Sequence, residues 1–282
     1  MTFVDIPDKK QKHPHYEHRT IKLDLHNNKF SSKKFHNIRK VSTQKKLIKS
    51  FGRIGMCLNG KNSESIPAKD FSKACFILVN SYENEDTDLG VGPLNDGYLV
   101  GLKHHRLGFK VFYLYNPQCN EFADLLGFFL KNTKDALTVF YSGRDMSSCG
   151  TQGIEFMNGS LSKNEISKII EENNNGKARV MFITDSLGGG SVFDIKTSNQ
   201  KNGVAEPNMI TFFVTKSCSP ESKEGKRSHG IFTYYFCKIT SERPNITPKR
   251  LLERMNPSLS RFSEIFRCQV TNQKLVDSPI FF

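Results

Sequence analysis

Two groups of polar residues sit where long apolar runs stop. The run Ala178-Arg179-Val180-Met181-Phe182-Ile183 ends in Thr184-Asp185-Ser186-Leu187-Gly188-Gly189-Gly190, and the run Ala136-Leu137-Thr138-Val139-Phe140-Tyr141 ends in Ser142-Gly143-Arg144-Asp145. In an open α/β sheet, chemistry gathers at the C-terminal ends of the strands. Nucleophilic attack there would need Ser186, or Cys149 or Cys218 brought in from elsewhere, with a base in hydrogen-bond reach. The imidazoles beyond the N-terminal quarter are His104, His105 and His229. Gly188-Gly189-Gly190 is not a Walker phosphate loop, because Lys-Ser/Thr does not follow at the required offset.

The elements that would carry these residues alternate. Continuous apolar strands are expected at Ala74–Asn80, Phe109–Tyr115, Leu137–Tyr141, Val180–Ile183 and Met209–Val214, with a last strand between Phe266 and Phe282. Helices are expected over Leu94–Leu107, closed by Gly108, and over Asn120–Asn132. Ser162-Lys163-Asn164-Glu165 reads as a capping box that starts another helix, Gly230–Ile239 as a further one, and Thr247-Pro248 as the start of the last. Strands that do not alternate in polarity are buried on both faces, and helical crossovers make such a sheet mainly parallel. The fold class is therefore α/β, a three-layer sandwich with a mainly parallel six-stranded sheet and helices on both faces.

Charge divides the chain. The formal net charge is +13, but residues 1–70 hold 16 Lys+Arg against 6 Asp+Glu, leaving +3 for residues 71–282. We read 1–70 as a basic N-terminal extension, with a short strand at Ile21–Leu25 and a short amphipathic helix at Val41–Phe51. It is a solvated tail or packing strap, or else a nucleic-acid contact through Lys9, Lys10, Lys33, Lys34, Lys45 and Lys46. Seven scattered cysteines without Cys-x-x-Cys spacing suit reduced thiols in a cytoplasmic or nuclear protein and offer no zinc ligand pair. No apolar run approaches a membrane span of about 18 residues, so no membrane contact is expected.

Over residues 72–282 the order of motifs resembles the caspase-like cysteine peptidases, metacaspases in particular. The motifs are the Phe76–Asn80 strand, Leu94-Asn95-Asp96-Gly97, Thr138-Val139-Phe140-Tyr141-Ser142-Gly143, Phe182-Ile183-Thr184-Asp185-Ser186 and His229-Gly230-Ile231-Phe232-Thr233-Tyr234-Tyr235. The resemblance implies a catalytic His after Tyr-Ser-Gly and a catalytic Cys two residues after the aspartate. Here those positions hold Arg144 and Leu187. Arg has no acceptor atom and keeps its proton, so it is no general base; Leu has no nucleophile. Asp145 stands where the family has Gly, and its negative charge would oppose an oxyanion forming near Gly143, Gly188 and Gly189. The resemblance also makes Asp96, Asp185 and Ser186 candidates for a residual pocket that takes a basic side chain. The alternative is structural, with Asp96 capping its helix and Asp185 pairing with Arg144. The loop Met146–Gly153 lacks carboxylates, so no calcium site is expected, nor any other metal or cofactor.

These readings point to a non-catalytic metacaspase-like module that binds a protein or peptide or acts as a regulator, with an active metacaspase relative as one such partner. Two alternatives stay open: a nucleic-acid-associated protein using residues 1–70, and a hydrolase with a relocated nucleophile. Without the dyad, the chain should not cut itself in the segment Lys196–Pro207.

Overall fold

The computed structural model describes residues 2–3, 44–66, 71–82, 89–146, 152–187, 191–193, 195, 208–216, 230–262 and 264–281. The expected strand at Ile21–Leu25 and the segment 196–207 lie outside them, as do Lys9, Lys10, Lys33, Lys34, Cys149, Gly188, Gly189, Cys218 and His229.

The strands are β1 (Thr2–Phe3), β2 (Gly55–Cys57), β3 (Phe71–Val79), β4 (Lys110–Tyr115), β5 (Thr133–Arg144), β6 (Gly153–Phe156), β7 (Gly159–Ser162), β8 (Arg179–Leu187), β9 (Met209–Lys216) and β10 (Glu264–Val270). The helices are α1 (Gln44–Phe51), α2 (Gly92–Arg106), α3 (Cys119–Asn132), α4 (Lys163–Asn173), α5 (Ile231–Glu242) and α6 (Pro248–Leu259).

Eight strands form one sheet in the order β1-β10-β9-β8-β5-β3-β4-β2. The contacts from β2 to β9 are parallel, and β10 and β1 add antiparallel edges. The six long strands are the six expected from apolar runs. The two added ones are three and two residues long, too short to show a period. Strands β6 and β7 form a separate antiparallel hairpin.

Helices cover both faces. One core layer joins α1, α2, α5 and α6 to the sheet through Leu47, Phe51, Leu99, Phe232, Phe236 and Leu252. The other joins α3, α4 and the β6–β7 hairpin through Phe122, Phe129, Ile154, Ile166 and Ile170. The cap signals are realised. Ser162 Oγ accepts the Glu165 N–H at 3.3 Å while Glu165 Oε2 accepts the Ser162 N–H at 2.8 Å. Thr247 caps α6, and α2 stops just before Gly108, which sits at φ +81°.

Within the span read as an extension, residues 44–66 pack into this sandwich. Strand β2 extends the sheet beside β4. Phe51 is fully buried and stacks on Tyr113 with ring centroids 4.1 Å apart. Lysines on one side and Leu47 and Phe51 on the other make α1 amphipathic, so its charge and its burial coexist. No helix among the described residues is long and apolar enough to cross a membrane.

Candidate functional site

Strands β5 and β8 are neighbours, and their register pairs Ser142 with Asp185, Gly143 with Ser186 and Arg144 with Leu187. The two polar groups found in the sequence therefore meet at one point on the C-terminal edge of the sheet. Helix α2 contributes Asp96, and α5 begins beside it.

Asp96 is 2% exposed. Its carboxylate accepts the Gly230 N–H at 2.8 Å and 2.9 Å and the Ser142 hydroxyl at 3.3 Å. Burial, with the charge of Asp185 adding to it, pushes the Asp96 carboxyl well above the usual carboxylate range. Asp185 Oδ2 accepts the Thr233 N–H at 3.0 Å and the Thr233 hydroxyl at 2.6 Å. The first turn of any helix has N–H groups with no intrahelical acceptor. Gly230 is the N-cap of α5 and has no side chain to satisfy them. Two carboxyl groups from other elements do so instead. Glycine is required there, because a Cβ on residue 230 would lie 2.0 Å from Asp185 Oδ2.

This arrangement differs from both structural alternatives drawn from the sequence. Asp96 lies inside α2, whose N-cap is Val91, and it binds the start of α5, 134 residues away. Arg144 does not pair with Asp185. Its guanidinium lies over the Tyr82 ring, 5.8 Å from the centroid, and its Nε is buried with no partner. Its backbone is fixed by two tyrosines: Tyr82 Oη accepts the Arg144 N–H at 3.2 Å, and the Tyr141 hydroxyl donates to the Arg144 carbonyl at 2.5 Å. Gly143 is buried against that hydroxyl.

Ser186 and Asp145 form the remaining pair. Ser186 is 6% exposed and donates to Asp145 Oδ2 at 2.7 Å. Burial pushes the Asp145 carboxyl up to about 7; the Ser186 hydrogen bond opposes this and the Asp185 charge adds to it. Among the described residues neither His104 nor His105 is hydrogen-bonded to a serine or thiol. His104 is buried, its Nδ1 lies 2.8 Å from the Val100 carbonyl, and desolvation lowers its pKa to about 3. His105 is exposed at the end of α2. Lys45 and Lys46 are exposed on α1. Among the described residues no group of three His, Cys, Asp or Glu side chains is placed to hold a metal ion.

Sequence reasoning missed Gly230 and Thr233 as partners of the aspartates, and Tyr82 as the support of Arg144. The glycine ahead of an apolar helix was the available signal for the first of these. Nothing local marks Tyr82.

No family model matches the chain, and no curated protein matches it. Among solved structures the chain is similar to the Drosophila initiator caspase Dronc, with 14% sequence identity and a TM-score of 0.52. The match covers 81% of this chain and 95% of that one. The fold is caspase-like.

Proposed function

We propose that the protein is a peptidase-related, metacaspase-like module that does not cleave peptides and instead binds a peptide or protein partner at the β5/β8 strand ends. The observation that carries this reading is the register pair Arg144–Leu187. The two positions that would hold a base and a nucleophile face each other across adjacent strands, and neither residue can do the work. An arginine offers no lone pair for proton abstraction, and a leucine cannot attack a carbonyl. Asp96 and Asp185 hold the start of α5 and are part of the scaffold.

The test is intact-mass spectrometry after incubation with thiol-directed peptide electrophiles carrying Arg, Lys or Asp at the reacting end. No stoichiometric adduct is expected. Rapid, saturable labelling of one cysteine would reject the reading.

A second reading is favoured by the Ser186–Asp145 hydrogen bond, because a carboxyl titrating near 7 is suited to accept a proton at neutral pH. In it, Ser186 is the nucleophile and Asp145 its base. The low exposure of Ser186 weighs against substrate access. A fluorophosphonate that labels the wild type but not Ser186→Ala would favour this second reading over the first.

A further inference from the structure

We propose that Arg144 is the anchor for a carboxylate side chain, Asp or Glu, on a peptide partner laid across the β5/β8 strand ends. The inference deepens the peptide-binding reading above and rests on it.

Arginine stays charged at every accessible pH, and a half-buried guanidinium is costly unless something opposes its charge. Among the described residues no carboxylate pairs with Arg144, and its Nε is buried without an acceptor. Three carboxylates described at these strand ends have other donors: Asp185 takes Thr233, Asp96 takes Gly230 and Asp145 takes Ser186. What the protein does supply is support. Tyr82 lies under the guanidinium as an aromatic face, an arrangement that holds a cation without neutralising it.

The support is itself built at a cost. Tyr82 has φ +56°, a left-handed conformation that bulky residues avoid and that costs on the order of 1–3 kcal/mol. It is held there by the Glu155 carbonyl, which accepts the Tyr82 hydroxyl at 2.9 Å. That hydroxyl in turn accepts the Arg144 N–H. The result is a guanidinium set in advance at the end of β5, and a guanidinium fork suits a planar carboxylate. A basic side chain would meet like charge there.

The experiment uses the full chain and three fluorescein-labelled peptides of Gly, Ala and Ser, with a central Glu, Gln or Lys, read by fluorescence anisotropy. The Glu peptide should bind roughly tenfold tighter than the Gln peptide, the scale of one charge-assisted hydrogen-bonded contact, and the Lys peptide weakest. Arg144→Gln should abolish the Glu-over-Gln preference. Arg144→Lys, which keeps the charge without the fork, should retain part of it, and Arg250→Gln on α6 should leave it intact. Thermal melts check that each variant is folded, and Arg144→Lys carries the test should Arg144→Gln not fold. The proposal is overturned if the wild type binds Glu and Gln peptides equally, prefers Lys, binds none of the three, or keeps its preference in Arg144→Gln. Peptide masses are read from the same samples. Cleavage would sink the non-catalytic reading, whereas a missing Glu preference without cleavage would sink only this inference.

Discussion

At the end of β8, Asp185 Oδ2 takes two donors from α5, and the nearby Asp96 takes the Gly230 N–H. One strand over, at the end of β5, Arg144 rests on an aromatic ring and meets no carboxylate among the described residues. The acidic corner is closed by internal hydrogen bonds. The basic corner is held by its tyrosines and has no such closure among the described residues. The difference sets an expectation for stability: removing the acidic groups should damage the fold, and removing the basic one should not.

The largest effect should come from Asp185→Ala. It leaves the Thr233 N–H and hydroxyl without their acceptor, and Thr233 is 1% exposed. A loss of about 3 kcal/mol is expected in urea unfolding, the range for a buried group that loses a charged hydrogen-bond partner. A change under about 0.5 kcal/mol, the scale of ordinary surface substitutions, would show that the acidic corner is not structural.

Gly230→Ala comes next. The added Cβ must push Asp185 Oδ2 aside from a clash at 2.0 Å, and overpacking of this kind costs about 1–3 kcal/mol. The check is the same unfolding curve. A double variant with Asp185→Ala should lose less than the sum of the two single losses, because the clash partner is gone.

Asp145 gives a pH signature. Burial pushes its carboxyl up to about 7 in the folded protein, against about 3.9 when unfolded. The folded state therefore binds the extra proton between those values. The stability this group contributes is fully present below about pH 4, falls as pH rises, and is gone above about pH 7. Asp145→Asn keeps an oxygen acceptor for Ser186 but does not titrate. Its stability relative to the wild type should rise by roughly 2 kcal/mol from pH 5 to pH 7. A constant difference across that window would mean that Asp145 stays ionised in the fold.

The smallest change in stability should be that of Arg144→Ala. Among the described residues its guanidinium makes a cation–π contact, worth about 0.5–1 kcal/mol where partly exposed. A loss of several kcal/mol would place Arg144 in the scaffold and erase the contrast between the two corners.

Much of the frame was legible in the sequence. Strands β3, β4, β5, β8 and β9 are runs of apolar residues that can only be buried on both faces, and the caps at Ser162 and Thr247 announce α4 and α6. The β6–β7 hairpin was not legible, since two four-residue strands around Met157-Asn158 carry no period. Strand β2 has the same difficulty. At the site, the positions of Arg144 and Asp185 followed from where the apolar runs end. Their partners did not. The Asp96–Gly230 contact spans 134 residues and the Arg144–Tyr82 contact spans 62, and neither leaves a local mark. Charge alone does not show that part of the basic span packs onto the sheet, because α1 carries its lysines outward while Leu47 and Phe51 are buried in the core.

The central claim is that these strand ends hold a peptide without cutting it. It is tested most directly by incubating the wild type, Ser186→Ala and Arg144→Gln with a mixture of peptides covering acidic, basic and neutral residues, and following every mass over time by mass spectrometry. The account predicts that all three proteins leave the mixture intact at the rate of a buffer control. Cleavage by the wild type that disappears in Ser186→Ala, in a preparation free of other proteases, would contradict it.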